Sequence, residues 1–106
     1  MDRETARIAK NFAQKVKKMY APAKVILFGS RARGDHLKRS DFDFLIISPK
    51  FAKQPFIYRS SELYKFWTSP VDVEPLCYTP EEFERKKKQN GIVQEALKEG
   101  IEISSQ

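Results

Sequence analysis

Two aspartates, Asp41 and Asp43, follow a Gly29-Ser30 turn, and this conjunction is the chain's clearest chemical equipment. Each half adjoins a short apolar run: Lys24-Val25-Ile26-Leu27-Phe28 before the turn, Phe44-Leu45-Ile46-Ile47 after the aspartates. Both runs have the length and β-branched content of buried strands. In a strand, residues i and i+2 share a face, about 6–7 Å apart. Asp41 and Asp43 should therefore project together, with Phe42 and Phe44 on the opposite face. Two carboxylates that close repel each other unless a cation lies between them. A hard ion such as Mg2+ takes carboxylate oxygens and keeps other positions for phosphates. The turn supplies the complement. Glycine lets backbone approach a ligand closely. A serine that opens a short helix offers N–H groups and a hydroxyl to phosphate oxygens. Singly, Gly-Ser and Ser-Asp are ordinary turn sequences. Together, a phosphate cradle and an acidic pair equip a chain for metal-assisted phosphoryl or nucleotidyl transfer.

Three neighbours extend the set. Arg31 and Arg33 follow the turn, and a guanidinium fork matches phosphate geometry. Arg31 is the stronger candidate for a triphosphate contact; for Arg33, an ion pair holding the turn is an equal alternative. Further on, Val71-Asp72-Val73-Glu74-Pro75-Leu76-Cys77 reads as a third strand, with Asp72 and Glu74 on one face. Burying two acids there is costly without a partner. A metal shared with Asp41 and Asp43 would offset that cost; a solvated edge strand is the alternative.

The run Gly29-Ser30-Arg31-Ala32-Arg33-Gly34, five residues, then Ser40-Asp41-Phe42-Asp43 resembles the signature of the polymerase-beta-like nucleotidyltransferases. The small size resembles the minimal nucleotidyltransferases (MNT proteins) within that superfamily, and the resemblance covers essentially the whole chain. It implies transfer of AMP from ATP to an acceptor hydroxyl. Asp41 and Asp43 would bind the Mg2+ that carries the triphosphate. With Asp72 as third carboxylate, they would hold a second Mg2+ near the acceptor oxygen, and Asp72 could take the acceptor's proton. Glu74 is the reserve for that third position. Gly29, Ser30 and Arg31 would hold the β and γ phosphates. MNT proteins are often paired with a HEPN-domain protein as antitoxin and toxin, so the resemblance also implies a HEPN partner as acceptor. A nucleic-acid acceptor is less favoured, and an idle antitoxin or nucleotide-binding module is the other alternative.

The composition is compatible with this. A chain of 106 residues suggests one domain over 1–106 with a modest core. Twenty Lys plus Arg against 14 Asp plus Glu give a formal charge of +6, which favours an anionic partner without saying which. No apolar run nears the roughly 20 residues that span a bilayer. The start Met1-Asp2-Arg3-Glu4 has no apolar leader core, and a single cysteine forms no internal disulfide, so a cytoplasmic location is expected.

The elements that must position the site are legible in outline. Asp2 to Tyr20 has helical spacing of Ile8, Phe12, Val16 and Met19, with Asp2 as cap. The segment Lys50 to Thr68 reads as helical beyond Pro55 and is unusually aromatic. Leu63 and Trp67 suggest a core stripe, and Phe56, Tyr58 or Phe66 could instead face a partner. Thr79-Pro80-Glu81-Glu82 has the form of a capping box. The Arg85–Lys88 run reads as a solvated helix face. Ile92 to Leu97 is amphipathic, Gly100 suits its end, and Ile101-Glu102-Ile103 can add a strand. His36 sits alone in a polar loop, and Cys77 reads as a small buried residue. The order predicts an α/β fold, a small mixed β-sheet flanked by helices.

Overall fold

The structure, a computed structural model, describes residues 1–103. Helix α1 (Arg3–Tyr20) leads into strand β1 (Lys24–Phe28), a single helical turn α2 (Ser30–Arg33) and strand β2 (Phe42–Ile47). A 3-10 turn, helix α3 (Phe56–Leu63) and a second 3-10 turn follow. Strand β3 (Val73–Tyr78), helices α4 (Pro80–Lys86) and α5 (Ile92–Glu99) and the short strand β4 (Ile101–Glu102) come next. The four strands form one mixed sheet in the order β3-β2-β1-β4. β2 is parallel to β3, and β1 is antiparallel to both β2 and β4. The predicted mixed sheet flanked by helices is therefore the fold observed.

The two faces of the sheet follow from strand alternation. Val25, Leu27, Phe42, Phe44, Ile46, Val73 and Cys77 form one buried layer against Ala9, Phe12, Ala13 and Val16 of α1. Phe12, Phe42 and Phe44 close around Trp67 at ring-centroid distances of 5.1–6.1 Å. Trp67 Nε1 donates to the Val71 carbonyl at 2.6 Å, which fixes the loop entering β3. On the other face, Ile26, Phe28, Leu45, Ile47 and Tyr78 pack against Val93 and Ala96 of α5. That second layer stops short of the first turns of β2 and β3, where the polar residues lie.

Local chemistry sets the boundaries. Asp2 caps α1 by accepting from the Thr5 amide at 2.7 Å. The predicted capping box on α4 is present: the Glu82 amide donates to Thr79 Oγ1 at 3.2 Å, and the Thr79 amide donates to Glu82 Oε1 at 2.8 Å. Two boundaries differ from expectation. β2 begins at Phe42, leaving Asp41 just outside and exposed, and β3 begins at Val73, leaving Asp72 just before it. The Ser69-Pro70 turn and the Trp67–Val71 bond hold Val71 out of the ladder, although the Phe42 amide still reaches the Asp72 carbonyl at 3.0 Å. The helix beyond Pro55 ends at Leu63 and tightens into a 3-10 turn over Tyr64–Phe66. Phe56, Ile57 and Tyr58 are exposed there, while Leu63 is fully buried.

Candidate active site

The turn and the acids meet at one end of the sheet. β1 finishes at Phe28 and turns through Gly29 into α2. β2 starts beside that turn because it runs antiparallel to β1, and β3 starts beside β2 because it runs parallel. The register sets Phe28, Asp43 and Glu74 in one row across three strands.

Gly29 joins the two halves. Its φ is +78°, a conformation that side chains with a Cβ rarely adopt. A Cβ at Gly29 would stand 2.5 Å from Asp43 Oδ2. The turn backbone thus rests directly on the second aspartate. The Gly29 carbonyl accepts from the amides of Ala32 and Arg33, both at 3.1 Å, so α2 begins at Ser30 as expected. The first amides of a helix have no acceptor within it, which leaves the Ser30 end of α2 suited to anionic oxygens.

Asp43 is half-buried, and its carboxyl is pushed up to about 6. Burial is the largest cause; the negative charges of Glu74 and Asp41 and a hydrogen bond with Glu74 add to it, and the Arg33 cation pulls the other way. Asp41, Asp72 and Glu74 are exposed. Together with Tyr64, Trp67 and Ser69 they line an open cleft of about 350 Å³. A neighbouring cleft of about 320 Å³ shares Trp67, Ser69, Pro70 and Val71, and Arg7, Lys38 and Arg39 give it a basic lining.

Among the described residues, no three acidic, histidine or cysteine side chains are gathered closely enough to hold a metal as they stand. The donor chemistry nevertheless fits a hard cation. Asp41, Asp43, Asp72 and Glu74 offer carboxylate oxygens alone, the donor type that a hard cation takes.

The two arginines are held differently, and Arg33 makes the turn-holding ion pairs that were its equal alternative. Arg31 is 5% exposed and points into the protein. It donates to the carbonyls of Ser40 and Lys38 and to Thr5 Oγ1, at 3.0–3.1 Å, and its guanidinium lies 4.4 Å from the centre of the Phe42 ring. These bonds shape the loop that delivers Asp41. Arg33 stays at the turn, ion-paired with Asp35 at 3.1 Å and Glu99 at 2.9 Å. Those two carboxylates raise its already high pKa further.

Glu74, the reserve third carboxylate, and Glu99, which spacing did not single out, also belong to this site. Glu74 is the direct cross-strand neighbour of Asp43, which only the parallel register reveals. Glu99, at the end of α5, accepts from the Gly29 amide at 3.1 Å. No local signal ties it to a turn 70 positions earlier. His36 Nε2 lies 2.8 Å from Asp2 Oδ2, and Cys77 is buried, its thiol pushed up to about 12 by desolvation.

Comparison with known proteins agrees with this geometry. A crystal structure of a candidate nucleotidyltransferase from Sulfolobus solfataricus superposes with a TM-score of 0.52 at 26% identity, over 77% of each chain. No curated protein matches the chain. The family model described as nucleotidyltransferase domain matches residues 9–103. The chain belongs to the nucleotidyltransferase domain family.

Proposed function

We propose that this nucleotidyltransferase moves AMP from ATP to a hydroxyl on a partner protein, a HEPN-type toxin that it thereby restrains as an antitoxin. The observation that carries the chemistry is the contact of the Gly29 turn with the Asp43 carboxylate. Asp43 lying against the Gly29-Ser30 turn supports reading the turn as a phosphate cradle beside the acids. Gly29, Ser30 and Arg33 face the β and γ phosphates. The acceptor oxygen attacks the α-phosphorus, the bond to the bridging oxygen of the leaving pyrophosphate breaks, and Asp72 takes the acceptor's proton. Asp41, Asp43 and Asp72 would hold Mg2+, which would neutralise phosphate charge when bound. Glu74 acts on Asp43, tuning how readily that carboxyl ionises.

The exposed Phe56, Ile57 and Tyr58 on α3 support a protein acceptor, since an apolar group on a small domain suits a docking surface. The basic lining of the neighbouring cleft is the feature a nucleic-acid acceptor would use. The experiment incubates α-labelled ATP and Mg2+ with the protein and its co-purifying partner, then separates protein from RNA. Label on a hydroxyl of the partner is the expected result. Label on RNA alone would replace the protein acceptor, and no label despite tight partner binding would favour an idle antitoxin.

A further inference from the structure

The turn that should receive the triphosphate already holds an anion of the chain's own. Glu99 Oε1 lies 3.1 Å from the Gly29 amide, and both Glu99 oxygens lie 2.9–3.0 Å from Arg33 Nη1. A carboxylate between a backbone amide and a guanidinium resembles, in charge and donor set, a phosphate oxygen in the same place. The contact is built into the fold. Gly100 lets the end of α5 press against β1: a Cβ there would collide with the Ala96 carbonyl and stand 2.6 Å from Ile26 Cγ2. A larger residue there would force the end of α5 or its neighbours to shift. The pair is also accessible, with the Glu99 side chain 25% and the Arg33 side chain 45% exposed, so an incoming ligand can reach both.

We infer that Glu99 is a positioning residue that competes with the terminal phosphates of the nucleotide for Gly29 and Arg33, an inference that rests on the nucleotidyltransferase reading. In the free protein Glu99 satisfies both donors and keeps the turn shaped. On binding, the β/γ phosphates take its place, and Arg33 exchanges a carboxylate for a phosphate. Removing the negative charge of Glu99 then strengthens nucleotide binding, because the exchange no longer breaks an ion pair. A strut with no part in binding has the opposite signature: its loss loosens the turn and weakens binding.

The sign of the effect is the test. ATP affinity is measured calorimetrically with Mg2+ for the wild type, Glu99→Gln, Arg33→Gln and the double variant, with tripolyphosphate as a second probe lacking the nucleoside. Glu99→Gln should bind both probes several-fold more tightly, and this gain should vanish in the Arg33→Gln background. ATP binding by Glu99→Gln but not by the wild type would support the competition in its strongest form. Equal or weaker binding by Glu99→Gln, with the wild type binding normally, would overturn the competition and leave the nucleotide reading intact. No ATP binding by any of the four proteins would remove the nucleotide reading itself, and the competition with it.

Discussion

Replacing Asp43 by asparagine should make the protein more stable while ending its activity. The Asp43 carboxyl stands at about 6 in the folded protein against 3.8 for a free aspartate. Its main causes, burial and the negative charges of Glu74 and Asp41, all penalise the ionised form. Two pH units correspond to about 3 kcal/mol. The group is only half-buried, so solvent screening reduces this to about 1–1.5 kcal/mol. The sign follows from proton linkage. The folded state binds the proton more tightly than the unfolded state, so the wild type loses stability as pH rises from about 4 to 6, and the full penalty persists above 6. Asparagine carries no charge and escapes the penalty. Thermal unfolding of wild type and Asp43→Asn from pH 4 to pH 8 should show equal stability near pH 4. A gain should open for the variant by pH 7, roughly 4 °C or more for a domain of this size. Mg2+ should raise the melting temperature of the wild type at pH 7 and leave the variant unmoved. A variant less stable than the wild type at pH 7, or a difference independent of pH, would mean that ionised Asp43 carries no folding penalty.

Other perturbations have distinct signatures. Gly29→Ala forces a side chain into positive φ and drives its Cβ onto Asp43, so it should cost about 1–3 kcal/mol by chemical denaturation and abolish ATP binding. Arg31→Ala empties a buried guanidinium site and leaves the Lys38 and Ser40 carbonyls without their donor; about 2–4 kcal/mol should be lost. Unchanged stability with lost ATP affinity would restore Arg31 as a ligand contact. Arg59 is buried and forks onto Glu82 and the Cys77 carbonyl. Its hydrogen bond is the first cause holding Glu82 down at about 2, so that support should fade as pH falls from about 4.5 towards 2. Arg59→Ala should flatten this acid limb and destabilise at neutral pH, both read by thermal unfolding.

Much of this architecture was legible because its signals are local. The apolar period of α1, the Thr79–Glu82 capping box and the β-branched run of β1 each specify an element within a few residues. The Gly29-Ser30 turn and the two aspartates are also near in sequence, and the antiparallel pairing of β1 with β2 converts that nearness into contact. What sequence could not supply is partnership at a distance. Arg31 and Arg33 look alike as residue types, and only packing decides that one enters the core over Phe42 while the other stays at the turn. Asp72 and Glu74 share a face by alternation, and only the parallel register of β2 and β3 sets Glu74 against Asp43. Glu99 reaches Gly29 through the packing of α5 on β1, which no periodicity encodes.

The proposed chemistry occurs at the carboxylates beside the Gly29 turn. The direct test follows the α-phosphate of labelled ATP in the presence of Mg2+ and any co-purifying protein, for the wild type and for the double variant Asp41→Asn/Asp43→Asn. The wild type should release pyrophosphate and transfer label in equal amounts, and the folded double variant should do neither. Transfer that survives in the double variant would place the active site elsewhere.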